Sequence, residues 1–423
     1  MRACSEILFW LGVFLIPFEN FKFAPSAGWA AIAPIFFTLY SVINVRYLKN
    51  ILIEYWKIVL FFIIGILITA VNYIILDTDK TLIIARFIDS TQTIVLGAGS
   101  LMAFHVYFIE KKNDLSKVEQ LLLVSYTITL LIGVIQFIAI KANLTQIMDA
   151  FELFTKRNYY FTNGRVQFFF TESSFVGMHL YGVLLPIYLV GKNKKIRNLI
   201  IIYALAAIVF GSGVRILVDT LAVCFILIIY GLISKKRWVM LLTVIALAIG
   251  PVSISYMYNH NDRVHNIVDL GIYADASLGS RYFYIQSAGY GLMNDPVHAL
   301  CGYGIGQEPI VLEKGYEKAS PTFRGGYRGE IDEAEHASQW TGGSATYNMY
   351  MRILSEYGIV MSLFVFGYII YCFIKVKDPM LRIAIASSMY LYIQFESYAF
   401  YSIWLVIIFI EMRIKSKDLK IYE

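Results

Sequence analysis

The chain has 423 residues, of which 58% are hydrophobic and 16% charged, with a mean hydropathy of +0.63. That is too apolar for a soluble domain and marks a polytopic membrane protein. A formal net charge of +6 would suit nucleic acid if gathered on one soluble face. The basic residues fall instead in short loops, where they act as topology signals, and no nucleic-acid partner is expected.

Apolar runs long enough to span a bilayer follow one another along the chain. They cover 5–17, 27–45, 58–76, 83–109, 118–140, 172–191, 197–211, 215–233, 238–257, 350–374, 380–396 and 397–412. The expectation is an all-α membrane protein of about twelve transmembrane helices. The first run follows Arg2 and has no small-residue cleavage site after it, so it reads as an uncleaved helix. Residues 1–257 would hold spans 1–9, residues 258–349 one large loop, and residues 350–423 the last three spans and a tail.

Loop charge alternates. Arg46, Lys49 and Lys57, then Lys111, Lys112 and Lys117, then Lys192, Lys194, Lys195 and Arg197 fall on one side. Lys235, Lys236 and Arg237, then Lys375, Lys377 and Arg382, and the basic tail share it. The positive-inside rule makes that side cytoplasmic, with both termini. Within 258–347, six Arg and Lys face eleven Asp and Glu, so the large loop is expected outside, where it meets the membrane.

Cys4, Cys224, Cys301 and Cys372 are scattered, with only Cys301 in the loop, so the loop has no internal disulfide. Neither the cysteines nor the six histidines show metal-ligand spacing. There is no Walker motif and no dinucleotide glycine fingerprint. No metal and no cofactor are expected, and the energy must come with the substrate or from a gradient.

Ionisable residues inside spans are costly and face protein or water. Arg86 and Asp89 stand three apart, Arg215 and Asp219 four apart, and Arg352 and Glu356 four apart, so each pair can meet on one helix face. Self-neutralisation is the plain reading, and for Arg86 and Asp89 it weighs as much as a functional one. Arg215 differs: it starts a helix after Gly211-Ser212-Gly213 on the side of the large loop, and Asp219 is placed to orient its guanidinium. Arg165 precedes Phe168-Phe169-Phe170, expected to dip into the membrane interface. Glu172 then opens a helix with Ser173 and Ser174, either as a helix-start acid favoured by the dipole or as a working carboxylate. Arg281 opens an amphipathic helix within Leu278-Gly-Ser-Arg-Tyr-Phe-Tyr284, while Arg324 and Arg328 read as surface charges.

Arginine presents a rigid fork of donors that matches phosphate oxygens bidentately. Arg165, Arg215 and Arg281 converging at an outer face point to a phosphate or pyrophosphate carried by a lipid. His105 and His179 read as structural. Among the loop histidines His336 is the one weighed as a base. Tyr282, Phe283, Tyr284 and Trp340 offer aromatic faces for sugar rings.

The order of these features resembles the bacterial O-antigen polymerases (Wzy type) and ligases. The matching residues are Arg165-Val-Gln-Phe-Phe-Phe-Thr-Glu172-Ser-Ser, Ser212-Gly-Val-Arg215 and Ser280-Arg281. Pro296 with Gly302, Gly304 and Gly306 follows, then Asn348-Met-Tyr350 and Leu354-Ser-Glu356-Tyr-Gly358. The resemblance covers roughly Arg165 to Gly358. The chain departs from the ligases at Tyr347, where they carry a histidine beside the loop-closing asparagine.

The resemblance implies a GT-C-like architecture with one large periplasmic loop between spans 9 and 10, in a bacterial inner membrane. It implies a metal-independent, inverting glycosyl transfer from undecaprenyl pyrophosphate onto a lipid-linked repeat unit. Arg215 and Arg281, with Arg165, would hold the pyrophosphate, Glu172 or His336 would take the acceptor proton, and Asp219, Tyr282, Tyr347 and Asn348 would line the substrate. Donor and acceptor lipids and a chain-length regulator are the implied partners. Two alternatives stand beside it: a ligase acting on lipid A-core, and a transporter of the lipid-linked oligosaccharide.

Overall fold

The computed structural model describes residues 2–23, 31–157, 164–233, 255, 258–259, 262–324 and 328–419. It is 79% helical, with no strand among the described residues. The chain is an all-α membrane protein. Among the described residues six helices are long and apolar enough to cross a bilayer: α4 (Trp56–Ile75), α5 (Lys80–Glu110), α6 (Ser116–Lys141), α8 (Ser173–Gly191), α10 (Val214–Ile233) and α16 (Met349–Lys375).

The other elements are shorter or more polar. They are α1 (Arg2–Leu15), α2 (Ala33–Ile43), α3 (Leu48–Glu54), α7 (Thr145–Glu152) and α9 (Lys194–Val209). α11 (Asp262–Leu270), α12 (Ala276–Asn294), α13 (Pro296–Cys301), α14 (Glu308–Ala319) and α15 (Gly329–Asp332) fill the polar stretch. α17 (Pro379–Leu391) and α18 (Tyr401–Leu419) close the chain. The expected span 238–257 falls almost wholly outside the described residues. Helix starts follow capping chemistry: Asp79, Asn193, Asp275, Asp295, Asn348 and Asp378 each accept a backbone N–H of the turn they open.

The basic loops are tied together at one end. Asn50 donates to Glu110 (3.1 Å), Asn193 to Glu119 (2.8 Å), and Arg413 to Asp378 (2.9 Å). Lys57 lies over the Tyr368 ring and Lys117 over Trp10. At the other end the polar stretch folds into a small body of its own. α12 lies along α14 around Phe283, Leu312, Ala319, Ile331, Ala334 and Ala337.

This body is seated through Gly302, Gly304 and Gly306, all at positive φ (84°, 92° and 77°). A Cβ at these positions would strike the Glu356 carbonyl, Thr69 and the Arg86 carbonyl respectively. Glycine therefore lets the strip run directly against α16, α4 and α5. It is a close-approach device.

Two expectations change. Arg86 and Asp89 make no ion pair among the described residues; α5 spends them on two different grips of the loop. Arg86 donates to Gln307 (3.0 Å) and to the Ser338 and Trp340 carbonyls, while Asp89 accepts the Gly343 N–H (3.0 Å). Phe168 and Phe170 are buried in the helix core, and Phe169 is buried against Phe18 and Phe21. Phe168 takes φ 57° and its ring fills the space that Gly133 leaves open. Phe283 lies in the loop core and Tyr284 is nearly buried, so neither presents a free face for a sugar.

Candidate functional site

Gly211 (φ 75°) and Gly213 (φ 133°) turn the chain into α10, so that Arg215 stands in its first turn. The Arg215 side chain is 10% exposed and Asp219 wholly buried, with Nε and Oδ2 3.7 Å apart. Asp219 Oδ1 accepts from the Tyr390 hydroxyl (2.8 Å) and from Gln394 Nε2 (3.3 Å). The Gln394 carbonyl accepts from Arg215 (3.3 Å). Gly177 on α8 keeps room for this carboxylate, because any Cβ there would collide with Oδ2. Arg215 thus has its orientation fixed from two sides.

It is not saturated. Arg215 Nε and Nη1, Asp219 Oδ2 and Ser212 Oγ are buried without a hydrogen-bond partner. Leaving buried donors unmade costs about 1–3 kcal/mol each, so a native structure that keeps several at one spot invites a ligand explanation.

Arg281 and Glu172 both lie within electrostatic range of Arg215. Arg281 sits over the Tyr347 ring at 5.3 Å and makes no ion pair among the described residues. Tyr347 is half-exposed, takes φ 54°, and lies near-parallel to Tyr284. A bulky non-glycine residue at positive φ is strained and persists only when its surroundings impose it. Tyr282 is also exposed, and Asn348 caps α16 while donating to the Ile393 carbonyl (2.9 Å).

Glu172 precedes the short turn Ser173–Phe175, and its side chain makes no capping bond. Its two oxygens accept from Arg157 (3.1 Å) and Ser174 (2.9 Å). The arginine bonded to Glu172 is therefore Arg157, reached through the Asn20 anchor, which accepts the Lys156 and Arg157 N–H groups. Arg165 lies half-buried just before the core segment Val166–Phe170. His336 is exposed at a kink in the turn Glu333–Gln339, with no side-chain hydrogen bond among the described residues. His179 is buried between Glu19 (2.6 Å) and the Tyr126 hydroxyl (2.8 Å), and His105 meets Tyr55, so both have structural partners.

A second polar centre lies between the loop and α16. Arg352 donates to Glu356 (2.9 Å), the Glu396 carbonyl (2.7 Å) and Ser90 (2.8 Å), and faces the Tyr398 ring. Glu356 also accepts from the Gly306 N–H and the Tyr398 hydroxyl, each at 2.8 Å. Glu308 accepts from the Ala345 N–H (2.7 Å) and the Thr346 hydroxyl.

Tyr390, Gln394, Arg157, Glu308 and Glu396 are absent from the sequence-derived set. The one signal for them was polarity out of place: Gln394 and Glu396 end an otherwise apolar run. Among the described residues no group of His, Cys, Asp and Glu is placed to hold a metal ion. No family model, no curated protein and no solved structure matches this chain.

Proposed function

We propose that the chain is a polysaccharide polymerase of the O-antigen type, acting on undecaprenyl-pyrophosphate-linked glycan at the periplasmic face of an inner membrane. The observation that carries the reading is the part-unpaired, oriented Arg215, with a second arginine, Arg281, close by. Two arginines whose donors the protein takes up only in part suit a polyanionic group, and the fork of each matches phosphate oxygens.

In this reaction the acceptor sugar hydroxyl attacks the anomeric carbon of the donor glycan. The new C–O bond forms as the bond to pyrophosphate breaks, and the electron pair leaves on the pyrophosphate. Arg215 and Arg281 stabilise that growing charge. Glu172, within range of Arg215, takes the hydroxyl proton; exposed His336 does not. Tyr282 and Tyr347 offer faces to the sugars. In this reading the chain has about twelve spans, with the basic end of the helices in the cytoplasm. A chain-length regulator is the expected protein partner.

The test is the glycan ladder of a deletion strain. One repeat unit left on lipid A-core, with no longer chains, supports a polymerase. Loss of all glycan from the core means a ligase or a transporter and ends this reading.

A further inference from the structure

Tyr347 is held at φ 54° by a feature that the reaction above does not use. The segment 344–348 runs between two carboxyl groups that are 88 residues apart in sequence. Glu308, on α14, accepts the Ala345 N–H and the Thr346 hydroxyl. Glu396, in the turn between α17 and α18, faces the Ser344 hydroxyl and the N–H groups of Tyr347 and Asn348, all within its electrostatic reach. The Thr346 hydroxyl lies between the two, 3.5 Å from Glu396 Oε2. Glu308 is fully buried and Glu396 8% exposed.

The charge balance fits one proton. Glu308, Glu356 and Glu396 share the neighbourhood of one buried guanidinium, Arg352, whose ion pair is with Glu356. Asp89 and Arg86 approach from α5, Glu313 from α14, and the Tyr398 hydroxyl is bound to Glu356. Arg86 is bonded to neutral oxygens of Gln307, Ser338 and Trp340. Three ionised carboxylates beside Arg352 would leave buried negative charge without a partner, at large cost. One hydroxyl hydrogen cannot serve two carboxylates; a protonated Glu308 turns its bond round and donates to the Thr346 oxygen, leaving the Thr346 hydroxyl to donate to Glu396, and the chain carboxyl–hydroxyl–carboxylate closes.

We propose that Glu308 and Glu396 hold one proton between them through the Thr346 hydroxyl and, as that pair, position Tyr347 beneath Arg281. Both are positioning residues. Their effect on catalysis rests on the function proposed above; the positioning itself does not. Burial and the neighbouring Glu396 hold the Glu308 carboxyl well above its ordinary value of 4.5. Its contribution is then complete below that value and is lost as pH rises through the raised one. Alkali should release the segment.

Amide hydrogen exchange of the full chain in detergent, without substrate, reads the device directly. After correction for intrinsic exchange, protection of the Tyr347 and Asn348 amides should fall at least tenfold as pH is raised. In E308Q, whose carboxamide stays neutral, protection should persist at high pH. T346V, which removes the bridging hydroxyl, should show low protection at every pH, and T346S should restore it. Equal profiles in wild type and E308Q, or full protection in T346V, overturn the proposal. Polymerisation by E308Q should stay active to higher pH than wild type. An unchanged polymerisation profile beside the expected exchange pattern would remove Tyr347 from catalysis and leave the carboxyl pair standing.

Discussion

Arg215 and Arg352 are written alike in the sequence: each opens a span at the loop end and stands four residues before a carboxylate. The structure gives them opposite situations. Arg352 is 2% exposed, and its donors reach Glu356, the Glu396 carbonyl and Ser90. Arg215 leans on Asp219 through Nε at 3.7 Å, gives one hydrogen bond to Gln394, and keeps Nε and Nη1 without a hydrogen-bond partner, within electrostatic range of a second arginine. A satisfied buried arginine is a clamp, here joining α5, α16 and the 392–400 turn. An unsatisfied one is preorganised for something that is not protein.

Truncating each arginine should have opposite consequences. Arg352→Ala strands Glu356 in the core, a loss of about 3–5 kcal/mol, and should abolish monodisperse, folded protein in size-exclusion and thermal-unfolding assays. Arg215→Ala should leave both assays near wild type while polymerisation falls about 10²–10³-fold, the usual effect of removing a preorganised donor to developing charge. Arg215→Lys should also be impaired, because a point charge lacks the fork. A folded, active Arg215→Ala would erase the distinction.

What separates the two arginines was only partly legible beforehand. Hydropathy marks α4, α5, α6, α8, α10 and α16, because a bilayer demands long apolar helices whatever packs around them. Helical spacing gives Arg215 with Asp219 and Arg352 with Glu356, since i and i+4 share a face. The same logic misleads for Arg86 and Asp89: spacing permits a pair but does not compel it when loop partners compete. Tyr390, Gln394, Glu308 and Glu396 reach their sites across 38 to more than 170 residues, and no local pattern encodes such contacts. Phe283 reads as an exposed ring until the loop is seen to have a core of its own.

Glu172 and His336 differ at the unsatisfied site in the same way: one is held, the other is not. Glu172 keeps two hydrogen bonds, from Arg157 and Ser174, within electrostatic range of Arg215. Glu172→Gln preserves the shape and much of this bonding but cannot take a proton, so the rate should fall about 10²–10⁴-fold. His336→Asn should change it little. Measured in purified protein with lipid-linked repeat units, an active Glu172→Gln with an inactive, folded His336→Asn reverses the assignment. Two active variants would leave the arginines to carry the reaction without a side-chain base.

The smallest effect belongs to a second clamp, at the seat of the loop on α4. Asp295 accepts from Lys314 (2.7 Å), the Tyr303 hydroxyl (2.6 Å) and His298 Nδ1 (2.9 Å). His298 Nε2 lies 3.2 Å from Asn72 Oδ1, and Asn72 donates to the Gly302 carbonyl (3.1 Å). Burial works against the charged form, but the bonds from Lys314, Tyr303 and His298 prevail and hold the Asp295 carboxyl well below its ordinary value of 3.8. A depressed carboxyl stabilises fully above its ordinary value, and the contribution is lost as pH falls through the lowered one. Acid should therefore weaken the seat, in the opposite sense to Glu308, which alkali releases. Asp295→Asn should lower the unfolding temperature by a few degrees at neutral pH and narrow that gap as the solution is made acid. It should leave the Arg215 site able to work, because this clamp holds the loop from the α4 side while Tyr347 is held from the 392–400 turn. A gap that is unchanged down to strongly acid pH would show that the Asp295 charge does not help to seat the loop.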